Sequence, residues 1–289
     1  SDDNLAQSQR FKLSGPFKPT LTKDYYRQSI ATIKDYIASG DCYQTNFTQH
    51  LSAEYQGDLW PAYLALREAT PAPYGAFWQW SDQAILSVSP ERFIKTDREN
   101  ERISVESKPI KGTMLRGSTI EEDQENAIKL VNSSKDRAEN LMIVDLLRND
   151  LSKNCEPGSI RVPKLFSLES FPNVHHLVST VSGVLRSDRT ALDLLRDSFP
   201  GGSITGAPKK RAMEIIEELE PVRRSVYCGS IGYISASNRM DTNIAIRTLV
   251  ADGTSLHCWG GGGIVADSKA ELEYEESLQK IRNLLDALS

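Results

Sequence analysis

Strand-like runs follow one another directly in this chain, and helix-like runs neighbour one another, so the strand-helix-strand alternation that builds a parallel sheet is missing. Tyr74 to Trp80 and Ala84 to Val88 read as a hairpin joined near Ser81-Asp82, and Arg102 to Ser107 reads as a further strand. From Tyr43 to Leu51 the pattern alternates. Tyr43, Thr45, Phe47 and Leu51 face one side, while Gln44, Asn46, Thr48 and His50 form a polar face that lines a site or meets water. A first helix is expected from its N-cap Thr22 to Gly40, because Tyr26, Ile30, Ile33 and Ile37 recur at helical spacing. Further helices are expected over Asp58 to Thr70, Ile120 to Val131, Ser134 to Leu151, near Thr190 to Asp197, and from Pro208. A last one runs to about Leu288, with Ser268 and Glu271 as its capping box. β-rich runs after Gly158, including Val174 to Leu185, and three strands near Ser230, Asn243 and Leu256 complete an α+β chain with largely antiparallel sheets.

With 39% apolar and 25% charged residues, 289 residues can bury a substantial core in one large domain or two smaller ones. Ser1 to Pro19 is polar and turn-rich. Residues 1–20 are therefore expected to be a tail or linker, and residues 21–289 the folded domain. A net charge of -5 without long runs of one sign argues against nucleic acid as a partner. No stretch is apolar enough to span a bilayer and no signal-like segment opens the chain, so a cytoplasmic protein without a membrane partner is expected. Cys42, Cys155, Cys228 and Cys258 are scattered with no Cys-x-x-Cys pair, which predicts reduced, mostly buried thiols.

Pro109-Ile110-Lys111-Gly112-Thr113 places a lysine between a residue of fixed φ and one that tolerates positive φ, and so predicts a shaped turn that aims an amine. An ordinary lysine, with a pKa of ~10.4, needs about 4 to 5 kcal/mol of help to be neutral near pH 7. Burial, Lys108, Arg116 or a metal ion would supply it; a solvated loop lysine fits the same spacing. Asp136 with Glu139, and Glu273 with Glu276, lie three apart on helices. Each pair shares a face that is either solvated or, with oxygen-only ligands, suited to Mg²⁺. On the last helix Glu273, Glu276 and Lys280 form a polar line apart from the apolar line Tyr274, Leu278, Ile281 and Leu285. Gly260 to Gly263 reads either as a backbone cradle for a carboxylate or as a tight turn. The Gly201 to Gly206 loop before the Pro208 helix is a second anion candidate, to which Ser203 adds a hydroxyl donor. The phosphate-loop pattern Gly-x-x-x-x-Gly-Lys-Ser/Thr is absent.

Pro109 to Thr113 resembles the signature of the chorismate-utilising enzymes of the aminodeoxychorismate synthase component I family. Ser89 to Phe93, Lys135 to Leu141, Gly202 to Lys209 and Gly260 to Asp267 resemble further blocks of that family, in its order. The related anthranilate synthase component I carries alanine where this chain has Lys111, and isochorismate-forming and salicylate-forming relatives use water in place of ammonia. The resemblance implies two packed, largely antiparallel sheets with outer helices and a site in the cleft between them. It also implies a covalent adduct of Lys111 with chorismate, Glu91 as general acid/base and His176 as a site histidine. Glu139 and Glu276 are implied as Mg²⁺ ligands, with Asp136 and Glu273 supporting them. Ser203, Tyr233, Arg247, Gly261, Gly262, Gly263 and Lys280 are implied to bind substrate. The expected reaction turns chorismate and ammonia into 4-amino-4-deoxychorismate, toward 4-aminobenzoate and folate, with a glutamine amidotransferase subunit as ammonia source. The alternatives are anthranilate synthase component I and a truncated, non-catalytic fragment that binds chorismate. Because the chain opens on Ser1, and family members carry a further N-terminal region, part of that region is expected to be missing.

Overall fold

The computed structural model describes residues 10–171, 173–237 and 239–289. They gather into two compact units. One holds the described residues through Pro90 together with Ile204–Gly229 and Ala245–Ser289; the other holds Glu91–Ser203 and Ser230–Ile244.

The chain enters the first unit through β1 (Lys12–Leu13), β2 (Lys18–Pro19), α1 (Lys23–Ala38) and β3 (Gln44–Gln56). It continues with α2 (Leu59–Ala69), β4 (Tyr74–Trp80) and β5 (Gln83–Ser89). The second unit begins with β6 (Arg92–Glu99), β7 (Arg102–Lys108), β8 (Ile110–Leu115), α3 (Ile120–Val131) and α4 (Ser134–Ser152). It then adds β9 (Arg161–Ser170), β10 (Val174–Val184) and α5 (Ala191–Ser198). The first unit resumes with β11 (Gly206–Ala207) and α6 (Lys209–Leu219), and the second with β12 (Gly232–Ile234) and β13 (Met240–Asn243). The chain closes in the first unit with β14 (Thr248–Asp252), β15 (Ser255–Ile264) and α7 (Ala270–Asp286).

Each unit has its own sheet. The first runs β1-β3-β15-β14-β5-β4, with β2 and β11 also on β3; the second runs β12-β13-β6-β7-β10-β8, with β9 on β10. Among the described residues all strand pairings are antiparallel, as expected for an α+β chain without crossover rhythm. Leu51, Leu66, Leu86, Leu249 and Leu256 form one core of the first unit with Ile281 and Leu284 of α7. Tyr26, Ile30 and Ile33 of α1 meet Phe47 and Ile264 in another. Each such side chain contributes about 1.5–3 kcal/mol by leaving water. Thr22 caps α1 by accepting from the Tyr25 N–H, and Asp58 caps α2 through the Trp60 N–H.

Several sequence expectations need correction. Lys12–Leu13 and Lys18–Pro19, expected within a tail, are strands that pair with β3, whose long edge offers unpaired backbone groups to any extended neighbour. The part of that tail over residues 1–9 lies outside the described residues. Four strands rather than three follow α6. The polar face Gln44, Asn46, Thr48 and His50 is buried, whereas Tyr43 is exposed. The capping box of α7 does not form: the Ser268 hydroxyl donates to Glu273, and Glu271 instead pairs with Lys23 and Arg27 on α1. Gly260 to Gly263 is not a tight turn but part of β15, in register with Gln49 to Asn46 of β3.

Candidate active site

Lys111 lies in a strand and not on a free turn. β7 and β8 run in tandem along one edge of β10, interrupted at Pro109, whose missing N–H breaks the ladder. His176 pairs with Thr113 and Val178 with Ile110, so Lys111 and Gly112 together stand against Leu177 alone. That is a β-bulge, a device that turns a side chain away from its regular direction. Gly112 has φ 89°, and a Cβ there would come within 3.0 Å of Asp136 and 2.9 Å of Leu130. Only glycine fits both the backbone and the space.

The half-buried Lys111 Nζ donates to the Ser203 carbonyl at 3.3 Å. Ser203 also hydrogen-bonds Glu91 through its side chain, and the Ile110 backbone does the same. Glu91 is buried, and the loss of water pushes its carboxyl up from 4.5 to about 7. The Ser203 hydrogen bond, the nearby Lys111 charge and the Ile110 bond pull the other way. Expected as a donor to substrate, the Ser203 hydroxyl is here engaged by Glu91.

The neighbouring histidines differ. His175 is buried, and its ring nitrogens meet Ser170 at 2.8 Å and Asp123 at 2.9 Å. His176 Nδ1 stands 2.9 Å from the Thr113 hydroxyl, and its ring meets Phe171 edge-on. On α4, Asp136 lies over the bulge at Gly112 and Glu139 is mostly buried, with Lys135 at 4.0 Å. Tyr233 is 62% exposed on β12.

In the first unit, β15 explains its four glycines. Cβ atoms at Gly260 and Gly261 would lie 2.4 Å from the Ser277 and Phe47 carbonyl oxygens, and one at Gly262 would lie 3.1 Å from Lys280 Nζ. The bare strand lets the polar line of α7 lie against it. Lys280 donates to the Gly261 carbonyl at 3.0 Å and pairs with Glu276 at 2.7 Å, while Glu273 is buried against Ser268. β14 pairs with β15 only as far as Cys258, so from Trp259 onward alternate N–H groups point away from β3. Arg247, expected in a strand, instead sits between β13 and β14 at φ 52°, a conformation that non-glycine residues seldom adopt. Burial lowers the pKa of its guanidinium, while Tyr227 and Cys258 act in the opposite direction. Tyr227, buried and stacked on Trp259 at 5.9 Å, is thus the tyrosine beside Arg247. Sequence reading missed it because one tyrosine in a glycine-containing run looks like another.

Among the described residues, no three or more His, Cys, Asp or Glu side chains are grouped to hold a metal ion, and no helix is long and apolar enough to cross a membrane. The four cysteines are free and buried, as expected.

The two antiparallel sheets and these motif blocks define the class: residues 2–286 match the family of chorismate binding enzymes, and the chain belongs to it. It is 51% identical over 278 residues to aminodeoxychorismate synthase component 1 of Escherichia coli K12, covering 96% of this chain and 60% of that protein. It is 44% identical to anthranilate synthase component 1 of Synechocystis, covering 94% of this chain and 55% of that protein. The solved structure of anthranilate synthase component I from Streptococcus pneumoniae superposes with a TM-score of 0.85 at 37% identity, over 95% of this chain and 60% of that one. The chain thus spans 60% and 55% of the lengths of these two curated relatives.

Proposed function

We propose that this chain carries the chorismate-aminating activity for which its aminodeoxychorismate synthase relatives are named, converting chorismate and ammonia to 4-amino-4-deoxychorismate. The observation that carries the reading is Lys111, presented by a bulge and held against Ser203 beside a carboxyl that titrates near neutrality.

An amine next to a protonated carboxyl can act as nucleophile while the carboxyl acts as acid. Neutral Lys111 attacks C2 of the ring, the double bonds shift, and the C4 hydroxyl leaves as water with a proton from Glu91. Ammonia then adds at C4 and expels the lysine from C2, with Glu91 taking up the proton released. His176 is assigned to the same chemistry as an acid or base. Arg247, Lys280 and the backbone at Gly261, Gly262 and Gly263 are assigned to the substrate's carboxylates, on the fork, the charge and the open strand edge they bring. Tyr227 is assigned with them in place of the exposed Tyr233.

Glu139 and Glu276, with Asp136 and Glu273 in support, are proposed as the Mg²⁺ ligands on the family resemblance, since this ion commonly takes one or two carboxylates and keeps its waters. When bound, the ion supplies positive charge against the substrate's carboxylates. The ammonia source is proposed to be a glutamine amidotransferase subunit, and the setting a cytoplasmic route toward 4-aminobenzoate and folate.

Incubation with chorismate, ammonium and Mg²⁺, followed by product analysis, tests the reading: 4-amino-4-deoxychorismate supports it, and anthranilate or isochorismate would replace it. Mass spectrometry of the quenched reaction should show an adduct on the Lys111 peptide, absent from Lys111→Ala. An unmodified peptide during turnover would remove the covalent step.

A further inference from the structure

We infer that Asn140 and Ser179 are positioning residues for Lys111, acting through the bulge; this rests on the role proposed for Lys111 above. Asn140 is fully buried on α4, one turn beyond Asp136 and next to Glu139. Its amide donates to the carbonyl of Leu177 at 3.3 Å, and Leu177 is the single residue that stands against Lys111 and Gly112. The Asn140 side-chain oxygen accepts from the Ser179 hydroxyl, which in turn accepts from the Phe166 N–H at 3.1 Å. The Ser179 backbone N–H donates to the Pro109 carbonyl at 3.3 Å, on the other side of the same bulge. Ser179 is also fully buried.

α4 therefore grips the bulge twice, at positions four residues apart on one face. Asp136 fills the space over Gly112, and Asn140 holds Leu177 opposite. A bulge leaves part of the ladder unpaired and is correspondingly easy to shift, so side-chain hydrogen bonds from a neighbouring helix determine where its residues point. The residue whose direction is at stake is Lys111, whose amine must meet both the Ser203 carbonyl and the surroundings of Glu91. If Asn140 and Ser179 only held the core together, their loss would lower stability without changing the surroundings of that amine.

The test compares the full chain with Asn140→Ala, Ser179→Ala and Ser179→Thr. One measurement is the rate at which acetic anhydride acylates Lys111 relative to the exposed Lys129, read by peptide mass spectrometry without substrate; another is kcat and KM for chorismate with ammonium. Loss of one or two buried hydrogen bonds predicts kcat lower by about tenfold with KM within about twofold. The Lys111-to-Lys129 labelling ratio should change in both alanine variants, and Ser179→Thr, which keeps the hydroxyl, should stay close to the parent. An unchanged labelling ratio in a folded alanine variant, shown by circular dichroism, overturns the inference, as does an unchanged kcat. Should Asn140→Ala not fold, Ser179→Ala decides, since it removes the hydroxyl that holds the Asn140 side-chain oxygen. A parent chain that makes no aminated product refutes the proposed function, while the labelling ratio still decides the positioning of Lys111.

Discussion

Lys111 and Ser203, 92 positions apart in sequence, meet through a side-chain amine and a backbone carbonyl at 3.3 Å. Ser203 also hydrogen-bonds Glu91 through its side chain, so one residue links the amine and the carboxyl. A change in the protonation of either group alters the field at the other.

Glu91 should therefore leave a mark on stability against pH. Its carboxyl is raised from 4.5 to about 7 in the folded chain. Between those values the folded state keeps a proton that the unfolded chain has released, so stability falls as pH rises through that window and levels off above it, by about 3 kcal/mol in all. Urea unfolding at pH 5 and pH 8 should show the fall, and Glu91→Gln should flatten it. A parent chain equally stable at both values contradicts the raised carboxyl. If the protonated form is the acid, kcat/KM should also decline above about pH 7.

Glycine replacements on β15 should separate packing from binding. Gly261→Ala drives a Cβ to 2.4 Å from the Phe47 carbonyl oxygen, which is backbone and must shift. The expected loss is about 1–3 kcal/mol, visible as a lower Tm. Gly262→Ala meets the flexible end of Lys280 at 3.1 Å and should leave Tm nearly unchanged while raising KM for chorismate.

Arg247 and the two tyrosines give a direct comparison. Arg247→Gln should raise KM for chorismate by about tenfold or more, the scale of a lost charged hydrogen bond. Tyr233→Phe, on an exposed side chain, should be silent, whereas Tyr227→Phe, beside Arg247, should raise KM. The reverse order would move the substrate's carboxylate to β12.

The carboxylate pairs are tested by calorimetric titration of Mg²⁺ into the chain. Glu139→Gln and Glu276→Gln should each weaken binding by about 10–100-fold. Chelation with EDTA should stop turnover, and added Mg²⁺ should restore it. Equal binding by the parent and both variants would place the ion elsewhere.

The helices were legible because their signals are local: Tyr26, Ile30 and Ile33 repeat at helical spacing behind the Thr22 cap, and Ile120–Val131 forms over the range its pattern predicts. The capping box at Ser268 looked equally local but failed, because a buried Glu273 claimed the serine hydroxyl. Among the candidate site residues, the carboxylate pairs and the α7 polar line could be placed on their faces from spacing alone.

What this sequence determined by itself was the α+β class, the family blocks, and the lysine between Pro109 and Gly112, since propensity, periodicity and motif order are written along the chain. Only the tertiary structure decided that Lys111 stands in a bulge opposite Leu177, that four glycines make a strand under α7, and that Tyr227 rather than Tyr233 accompanies Arg247. Each of these depends on which distant segment lies alongside, and that pairing is set by burial and register over the whole sheet, which no short window of sequence contains.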